Sequence, residues 1–270
     1  MKLKEGISDL IISSFLWGTI GIAVQLGYTA GANPFQIVMV RSLVSSIFIL
    51  PLIKIRRILD FQSILLGIVA ITFYETYVYT ISYLGASLSA VFLYTAPIWV
   101  LLASYLSRSE KITLRKTIAS ITVFVGVYLM YLSNISLTDL YLGLASGLTY
   151  ALLIIQSRRL QFKGKRDVEI IASQSLWSFP FSLLFLIFDN YFVLTSLYVG
   201  IYLAVFATLI PYYFFYRGMR KSDSITATVI STLEPVFTII LAFIILHQVL
   251  TLLQILGSII IILSALLVSV

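Results

Sequence analysis

Two eight-residue stretches of this chain, AVFLYTAP at residues 90–97 and TVISTLEP at residues 228–235, align without a gap and end on the same proline. The alignment that places Ala90 over Thr228 also places Ile112-Thr113-Leu114 over Leu250-Thr251-Leu252. A matched proline, a matched Thr-Leu pair and a constant offset in residue number indicate an internal repeat. Chance similarity between apolar segments is the alternative.

The repeat continues toward the start of the chain with a slightly smaller offset. The alignment that fits best there places Trp17 over Tyr150. The five-residue difference fits a longer connection around residues 189–196. The sequence therefore predicts a first repeat at residues 1–134 and a second at residues 135–270.

Composition places the chain in a membrane. Of its 270 residues 60% are hydrophobic and 11% are charged, whereas soluble domains are about half apolar and a quarter charged. A spanning helix needs about 20 apolar residues, so there is room for about ten spans and no sizeable soluble domain. With no cysteine and one histidine, the chain offers no thiolate or histidine cluster to a metal, and we expect no cofactor.

Apolar stretches separated by charged or turn-forming residues number ten. They predict an all-α integral membrane fold whose ten transmembrane helices lie at about 7–26, 35–53, 61–83, 86–106, 113–131, 138–157, 168–188, 195–216, 224–246 and 251–269. A signal peptide is an alternative for the first stretch, but this stretch is long for one and has a counterpart in the second half.

Basic residues fix the predicted orientation. Seventeen of the 18 Lys and Arg residues fall in the N-terminal segment or in alternate connections, so ten spans put them all on one side. Loops 27–34 and 132–138 carry none. Under the positive-inside rule, both termini face the cytoplasm of a cell (inner or plasma) membrane. The net charge of +7 is then loop charge, and no nucleic-acid partner is expected.

Five helices in each half determine how the halves are related. Because five is odd, the second half enters the membrane from the opposite face. This is the inverted-repeat plan of secondary transporters, whose substrates bind near the midplane between the halves. We therefore expect a polar site there.

Three ionisable residues lie at membrane depth, Arg41, Glu75 and Glu234. Charge there is costly and usually marks function or pairing. Arg41 and Glu75 have matching depths, about 10 and 12 Å from the outer ends of their helices at 1.5 Å per residue. We expect them to pair or to share a water-filled outer cavity that binds substrate. A purely structural pair is the alternative.

Glu234 lies near the midplane of the predicted ninth helix, directly before Pro235. Proline leaves one carbonyl without its helical hydrogen bond, and a free carbonyl beside a carboxyl suits a proton or an ammonium group. We expect Glu234 to couple protons or to bind substrate, unless it only bonds a neighbouring helix. Pro97 and Pro235 are predicted as matched gating kinks, with static packing as the alternative.

Several aromatic residues lie inside predicted spans instead of in the usual interfacial belts. An apolar ring with a polar tip suits a cavity for an amphipathic solute. Trp17, Tyr79, Tyr94 and Tyr150 are the predicted cavity residues, with simple packing as the alternative.

In the order and spacing of its motifs, the chain resembles the drug/metabolite transporter superfamily in its EamA-type branch. The motifs are Trp17-Gly18, Arg41 after Pro34, Tyr83-Leu84-Gly85-Ala86-Ser87 before Pro97, Glu110-Lys111-Ile112-Thr113, Leu233-Glu234-Pro235-Val236-Phe237 and His247-Gln248-Val249-Leu250-Thr251. The resemblance implies ten helices, cytoplasmic termini and transport of metabolites, often the export of amino acids. The family usually has Gly-Glu where this chain has His247-Gln248, so any role of that acid does not carry over.

The predicted function is that of a secondary transporter of small metabolites such as amino acids, most simply an exporter working by alternating access, with proton coupling as one option. Multidrug efflux, solute uptake and a structural membrane role are the alternatives. An enzyme is not expected, because no nucleophile elbow accompanies the single His247. The predicted partners are a small-molecule substrate, the lipid bilayer and, as an option, protons. Ten helices could enclose a site in one chain, so a monomer is expected.

Overall fold

In the computed structural model, residues 2–130, 137–188, 191–246 and 249–269 are described, and their regular secondary structure is entirely helical. The α-helices in these ranges are α1 (Lys2–Trp17), α2 (Ile20–Thr29), α3 (Pro34–Ile49), α4 (Phe61–Leu93), α5 (Ala96–Ser107), α6 (Leu114–Met130), α7 (Leu137–Phe162), α8 (Asp167–Ser182), α9 (Leu194–Tyr202), α10 (Ile210–Lys221), α11 (Ser224–Ser231), α12 (Glu234–Leu246) and α13 (Leu252–Ser269). A π-helical turn, Leu203–Leu209, joins α9 to α10. Short 3-10 segments lie at Leu50–Leu52, Ile55–Ile58 and Leu183–Phe188.

Eight helical stretches in the described part of the chain are long and apolar enough to cross a membrane. They are Glu5–Thr29, Pro34–Leu52, Phe61–Leu84, Leu140–Phe162, Asp167–Phe185, Leu194–Lys221, Ser224–Leu241 and Leu252–Ser269. Each overlaps one of the ten predicted spans. The prediction of an all-helical, multi-pass membrane protein is therefore confirmed.

The predicted fourth and fifth spans, 86–106 and 113–131, are not among these eight. The helix α5 has 12 residues, because the chain is interrupted at residues 94–95. The helix α6 begins with Leu-Arg-Lys, which lowers the hydropathy of its first turn, and its described part ends at Met130. The chain remains helical across the predicted boundary between residues 83 and 86, since α4 continues to Leu93.

Contacts with α7 show that the chain reverses its direction within α4. Thr76 Oγ1 lies 3.0 Å from Thr149 Oγ1, and a side chain added at Gly147 would collide with the carbonyl of Phe92. Residues 76 and 92 therefore reach nearly the same level of α7. A straight helix would separate them by about 24 Å, so α4 bends back on itself between these two residues.

Two glycines end helices in the same way at equivalent positions of the repeat, since the alignment of Trp17 with Tyr150 also places Gly31 over Gly164. Gly31 and Gly164 have φ angles of 83° and 79°, a left-handed conformation that glycine adopts without steric cost. The next backbone N–H donates to the carbonyl five residues back, at 2.9 Å for Ala32 and 3.1 Å for Lys165. This is the hydrogen bond of a Schellman helix end.

The bundle is built largely from antiparallel neighbours. Gly6 of α1 contacts Gly218 of α10, while Trp17 at the other end of α1 bonds Ala207, in the π-helical turn before α10. Helix α4 runs antiparallel to α7 over its first half, since Gln156 Nε2 donates to the carbonyl of Gln62 at 3.0 Å.

Glycines allow the closest helix contacts in this bundle. A side chain added at Gly143 or Gly147 would overlap Phe92 or Thr95, and one at Gly18 would lie 2.9 Å from Phe237 Cβ. Gly18, Gly143 and Gly147 therefore lie where neighbouring helices approach too closely for a larger side chain.

Some sequence predictions fall outside the described residues. These are residues 132–136 of the uncharged loop at 132–138, residues 189–190 of the longer connection, and the pair His247-Gln248.

Candidate functional site

A small cavity lies at the centre of the bundle, between the two predicted halves. Its volume is about 20 Å³, room for about one water molecule. The described residues that line it are Trp17, Ile20, Arg41, Phe73, Tyr77, Leu93, Tyr150, Tyr212 and Glu234. They come from seven helices, so the site depends on the packing of the whole bundle.

Three helices are interrupted at the level of this cavity. Trp17 ends α1 before a turn at residues 18–19, and Leu93 ends α4 before a turn at 94–95. A third turn, at residues 232–233, precedes Glu234, the first residue of α12. The second and third turns coincide when Ala90 is placed over Thr228, as in the sequence repeat. Each interruption places a lining side chain at a helix end, where backbone groups lack their regular helical partners.

Aromatic rings form much of the cavity wall. The ring centroids of Trp17 and Tyr212 lie 5.2 Å apart, and those of Phe73 and Tyr150 lie 4.9 Å apart. Trp17 and Tyr150 make an edge-to-face contact at 6.4 Å. These distances fall in the favourable range for aromatic pairs, so the wall is rigid and apolar around the two charged residues.

Arg41 supplies the positive charge at the cavity and is 4% exposed. Its Nε donates to Thr208 Oγ1 at 2.6 Å, and Nη2 approaches the carbonyl of Ala207 at 3.5 Å. The guanidinium carbon lies 3.7 Å from the centroid of the Tyr74 ring, which gives a cation–π contact. These contacts hold the guanidinium in one orientation beside the cavity.

The acceptors for Arg41 come from an irregular stretch of backbone. Residues Leu203–Leu209 form a π-helical turn, a feature that often marks functional sites. Pro211 follows and has no N–H, so the carbonyl of Ala207 lacks the partner that an α-helix would give it. This carbonyl instead accepts a hydrogen bond from Trp17 Nε1 at 3.0 Å.

Glu234 supplies the negative charge at the cavity and is 7% exposed. It begins α12, where the helix dipole favours an acidic group. The hydroxyl of Tyr94 is directed toward this carboxyl but makes no hydrogen bond of ordinary geometry with any described residue. Thr238 Oγ1 bridges the carbonyls of Glu234 and Gly18 at 3.0 and 2.9 Å, which ties α12 to the interrupted first helix.

The predicted site residues divide into two groups. Trp17, Arg41, Tyr150 and Glu234 all line the cavity, although residues 41 and 234 are far apart in sequence. The structure thus brings together four residues that the sequence proposed separately.

The other predicted residues lie around this cavity or away from it. Tyr94 and Pro97 are buried but are not among the described lining residues, and Pro235 is the second residue of α12. Glu75 is buried on α4, while the guanidinium of Arg41 is held by Thr208, Ala207 and Tyr74, so the pairing of Arg41 with Glu75 stays a prediction.

Tyr79 is not among the described cavity residues. Its ring is 40% exposed and stacks on Phe35 at 6.3 Å. Because successive helical residues are rotated by about 100°, Tyr79 points about 200° away from Tyr77, which lines the cavity.

Sequence reasoning missed Phe73 and Tyr212 as cavity residues, and Thr208 as a partner of Arg41. Phe73 could have been found, since it lies one helical turn before Tyr77 on the same face of α4. The proline at 211 signalled an irregular helix near Thr208 and Tyr212.

Comparisons with known proteins agree with this architecture. The sequence model of the EamA-like transporter family matches twice, at residues 4–132 and 137–270. An uncharacterized transporter of Archaeoglobus fulgidus is 24% identical over 95% of this chain and 93% of its own length. An uncharacterized transporter of Clostridium kluyveri is 22% identical over 97% and 92%. A solved crystal structure superposes with a TM-score of 0.82 at 14% identity, over 97% of this chain and 95% of that one, a likeness of fold alone.

Proposed function

From the premise that the chain belongs to the EamA-like transporter family, and is thus a membrane transporter, we propose that it moves small zwitterionic metabolites such as amino acids. It works by alternating access, as an exporter driven by an ion gradient. The substrate binds in the central cavity, between two inverted five-helix repeats at residues 1–134 and 135–270.

Equivalent contacts in the two halves support the repeat. Ser14 Oγ lies 3.2 Å from the carbonyl of Ile230. The repeat alignments place Ser14 over Gly147 and Phe92 over Ile230. Gly147 and Phe92 are also in contact. The family match falls separately on residues 4–132 and 137–270, which supports a boundary close to the one proposed.

The packing of α6 against α13 supports an inverted relation between the halves. These helices occupy equivalent places in the repeat. Thr122 contacts Ser264 at 2.7 Å between hydroxyl oxygens, and a side chain at Gly126 would lie 3.1 Å from Ile260. Residues later in α6 therefore contact residues earlier in α13, so the two helices run antiparallel. Equivalent helices that run antiparallel fit two halves of opposite orientation. They also fit ten spans with both termini on the cytoplasmic face.

One observation carries the choice of substrate class. Arg41 and Glu234, opposite in charge, line the same small cavity, together with aromatic side chains such as Trp17. A guanidinium is well suited to a carboxylate, and a carboxylate beside aromatic faces suits an ammonium group. A zwitterion satisfies both charges in a place where an unpaired charge would be costly.

The size of the cavity supports an occluded state. Ligand pockets usually enclose about 300–1,000 Å³, whereas this cavity has about 20 Å³. A metabolite can enter only if the helices around the cavity separate. The interruptions at residues 18–19, 94–95 and 232–233 are natural hinges for such a movement.

The decisive test is transport by the purified protein in liposomes, with a panel of labelled amino acids and with or without a pH gradient. We expect at least one amino acid to be transported, and Glu234→Gln to abolish the dependence on the gradient. Glu169→Gln is the matched control, because Glu169 is also buried but pairs with Arg166 at the start of α8, away from the cavity.

Two results would contradict the proposal. Gradient-dependent transport that survives Glu234→Gln would remove this carboxyl from coupling. Transport of lipophilic cations but of no amino acid would favour multidrug efflux, which the aromatic wall also suits.

A further inference from the structure

Ion pairs in the described part of the chain join the two halves on one face only. That face carries the basic loops and is the proposed cytoplasmic side. Six of the eight ion-pair contacts link a residue of the first half to one of the second: Glu5–Lys221, Asp9–Lys221, Asp9–Arg217, Asp60–Lys165, Glu110–Arg158 and Lys116–Asp223. The two remaining contacts, of Arg166 with Glu169 and of Arg220 with Asp167, lie within the second half.

Glu110 is the most fully bonded of these acids. It lies between α5 and α6, and its side chain is 4% exposed. It accepts hydrogen bonds from Arg158 Nε at 2.7 Å, from Ser224 Oγ at 2.6 Å and from the Ser224 backbone N–H at 3.0 Å. One first-half carboxylate thus holds the end of α7 and the start of α11, both in the second half.

Arg158 is held in place for this pairing by contacts within the second half. Its Nη1 donates to the carbonyl of Met219 and to Gln161 Oε1, both at 2.9 Å. The guanidinium carbon lies 4.6 Å from the centroid of the Phe162 ring. If the halves separate here, several charge-assisted hydrogen bonds must be exchanged for water, and such bonds are stronger than neutral ones.

The opposite face is closed by neutral contacts among the described residues. Asn33 N donates to Ser196 Oγ at 2.9 Å, and Gln36 Nε2 donates to the carbonyl of Tyr191 at 2.6 Å. Val193 N donates to Gln36 Oε1 at 2.8 Å. The two sides of the transporter are therefore closed by different chemistry.

The repeat explains this difference at the level of the sequence. The alignment of Ala90 with Thr228 places Glu110 over Gln248, and the alignment of Trp17 with Tyr150 places Gln25 over Arg158. Gln248 lies outside the described residues, so this is a statement about the sequence. The charged pair of one face thus corresponds to two neutral amides at the other.

We propose that Glu110, Arg158 and Ser224 form an ionic latch that closes the cytoplasmic side and biases the transporter toward the state open on the opposite side. The proposal rests on the alternating access proposed above. A bias arises because opening inward must break the ionic latch, whereas the contacts between the halves described at the opposite face are neutral hydrogen bonds.

Thiol labelling can test the latch directly, because the chain has no cysteine. Ile20→Cys places a single thiol in the cavity wall. Its reaction rate with a membrane-impermeant maleimide is measured from each face, in right-side-out and inside-out vesicles. With Glu110→Gln we expect the ratio of the cytoplasmic to the outer rate to rise by about tenfold or more, the value of one charge-assisted hydrogen bond.

Two comparisons separate the latch from a general loss of stability. Glu169→Gln removes a carboxylate that is equally buried, at 4% exposure, but whose partner is in its own half, so the ratio should not change. Arg158→Gln should act like Glu110→Gln. The ratio for the double variant should be close to that of either single variant, since all three variants remove the same ion pair. If Glu110→Gln does not fold, Arg158→Gln and Ser224→Ala take its place.

The outcomes distinguish this proposal from the proposed function. If the thiol reacts from both faces but the ratio of the two rates is unchanged by Glu110→Gln and Arg158→Gln, the latch is refuted and alternating access stands. An equal response to Glu169→Gln would also refute it. A thiol that reacts from neither face, in any variant, would overturn alternating access together with the latch.

Discussion

At the scale of single residues, Trp17 has two separable roles, a ring in the cavity wall and an indole N–H bonded to the carbonyl of Ala207. We expect Trp17→Phe to keep the ring and to lose the hydrogen bond, lowering the free energy of unfolding by about 1 kcal/mol. Because the same carbonyl lies beside Arg41, the variant should also raise the KM for transport.

The control for this prediction is Trp177→Phe. The indole of Trp177 also donates to a backbone carbonyl, that of Ile58 at 2.8 Å, but it does not line the cavity. Trp177→Phe should lower the free energy of unfolding by a similar amount and leave the KM for transport unchanged. Equal KM values for the two variants would show that the bond to Ala207 has only a structural role.

Residue chemistry explains which site residues the sequence could reveal. Arg41 and Glu234 stand out because charge in an apolar span needs a reason. Aromatic residues carry no such mark, since packing and lining positions use the same side chains. Hence Tyr79 was proposed for the cavity although it stacks on Phe35 at the edge of the bundle, and Tyr212 was overlooked.

At the scale of helices, the π-helical turn before Pro211 makes a testable contribution to the site. Pro211→Ala restores a backbone N–H that can bond the carbonyl of Ala207. Removing proline from a helix interior stabilises the helix by up to about 3 kcal/mol, so we expect unfolding at the same or a higher temperature. Transport should nevertheless slow, because Trp17 and Arg41 then compete for their acceptor.

Pro180→Ala is the matched control for this prediction. Pro180 also lies inside a helix, α8, but it is exposed and far from the cavity lining. Transport rates and unfolding temperatures of both variants decide the question. If Pro211→Ala transports at the normal rate, the freed carbonyl is not needed.

Helix interruptions were only partly predictable for a physical reason. Proline restricts the backbone locally, so Pro97 and Pro235 signal irregularity, and the chain is indeed interrupted just before Ala96 and Glu234. The turn at residues 18–19 has no proline to mark it. Packing against neighbouring helices decides such features, and an apolar sequence alone does not encode their position.

At the scale of the whole molecule, the proposed inversion implies that equivalent positions of the two halves face opposite sides of the membrane. Ala30 and Lys163 are such a pair in the alignment that places Trp17 over Tyr150. Each directly precedes a glycine of positive φ, Gly31 or Gly164, that ends a helix. If the halves had the same orientation, both positions would lie on one face.

We therefore expect opposite labelling of single cysteines at these positions. Both side chains are exposed, and the chain has no other thiol. In intact cells, an impermeant maleimide should modify Ala30→Cys and spare Lys163→Cys, which should react only after the membrane is permeabilised. The basic residues around position 163 place it in the cytoplasm by the positive-inside rule. Modification of both thiols from the same side would exclude inverted halves. It would also exclude the proposed mechanism, in which two equivalent repeats exchange conformations and so expose one cavity to each face of the membrane in turn.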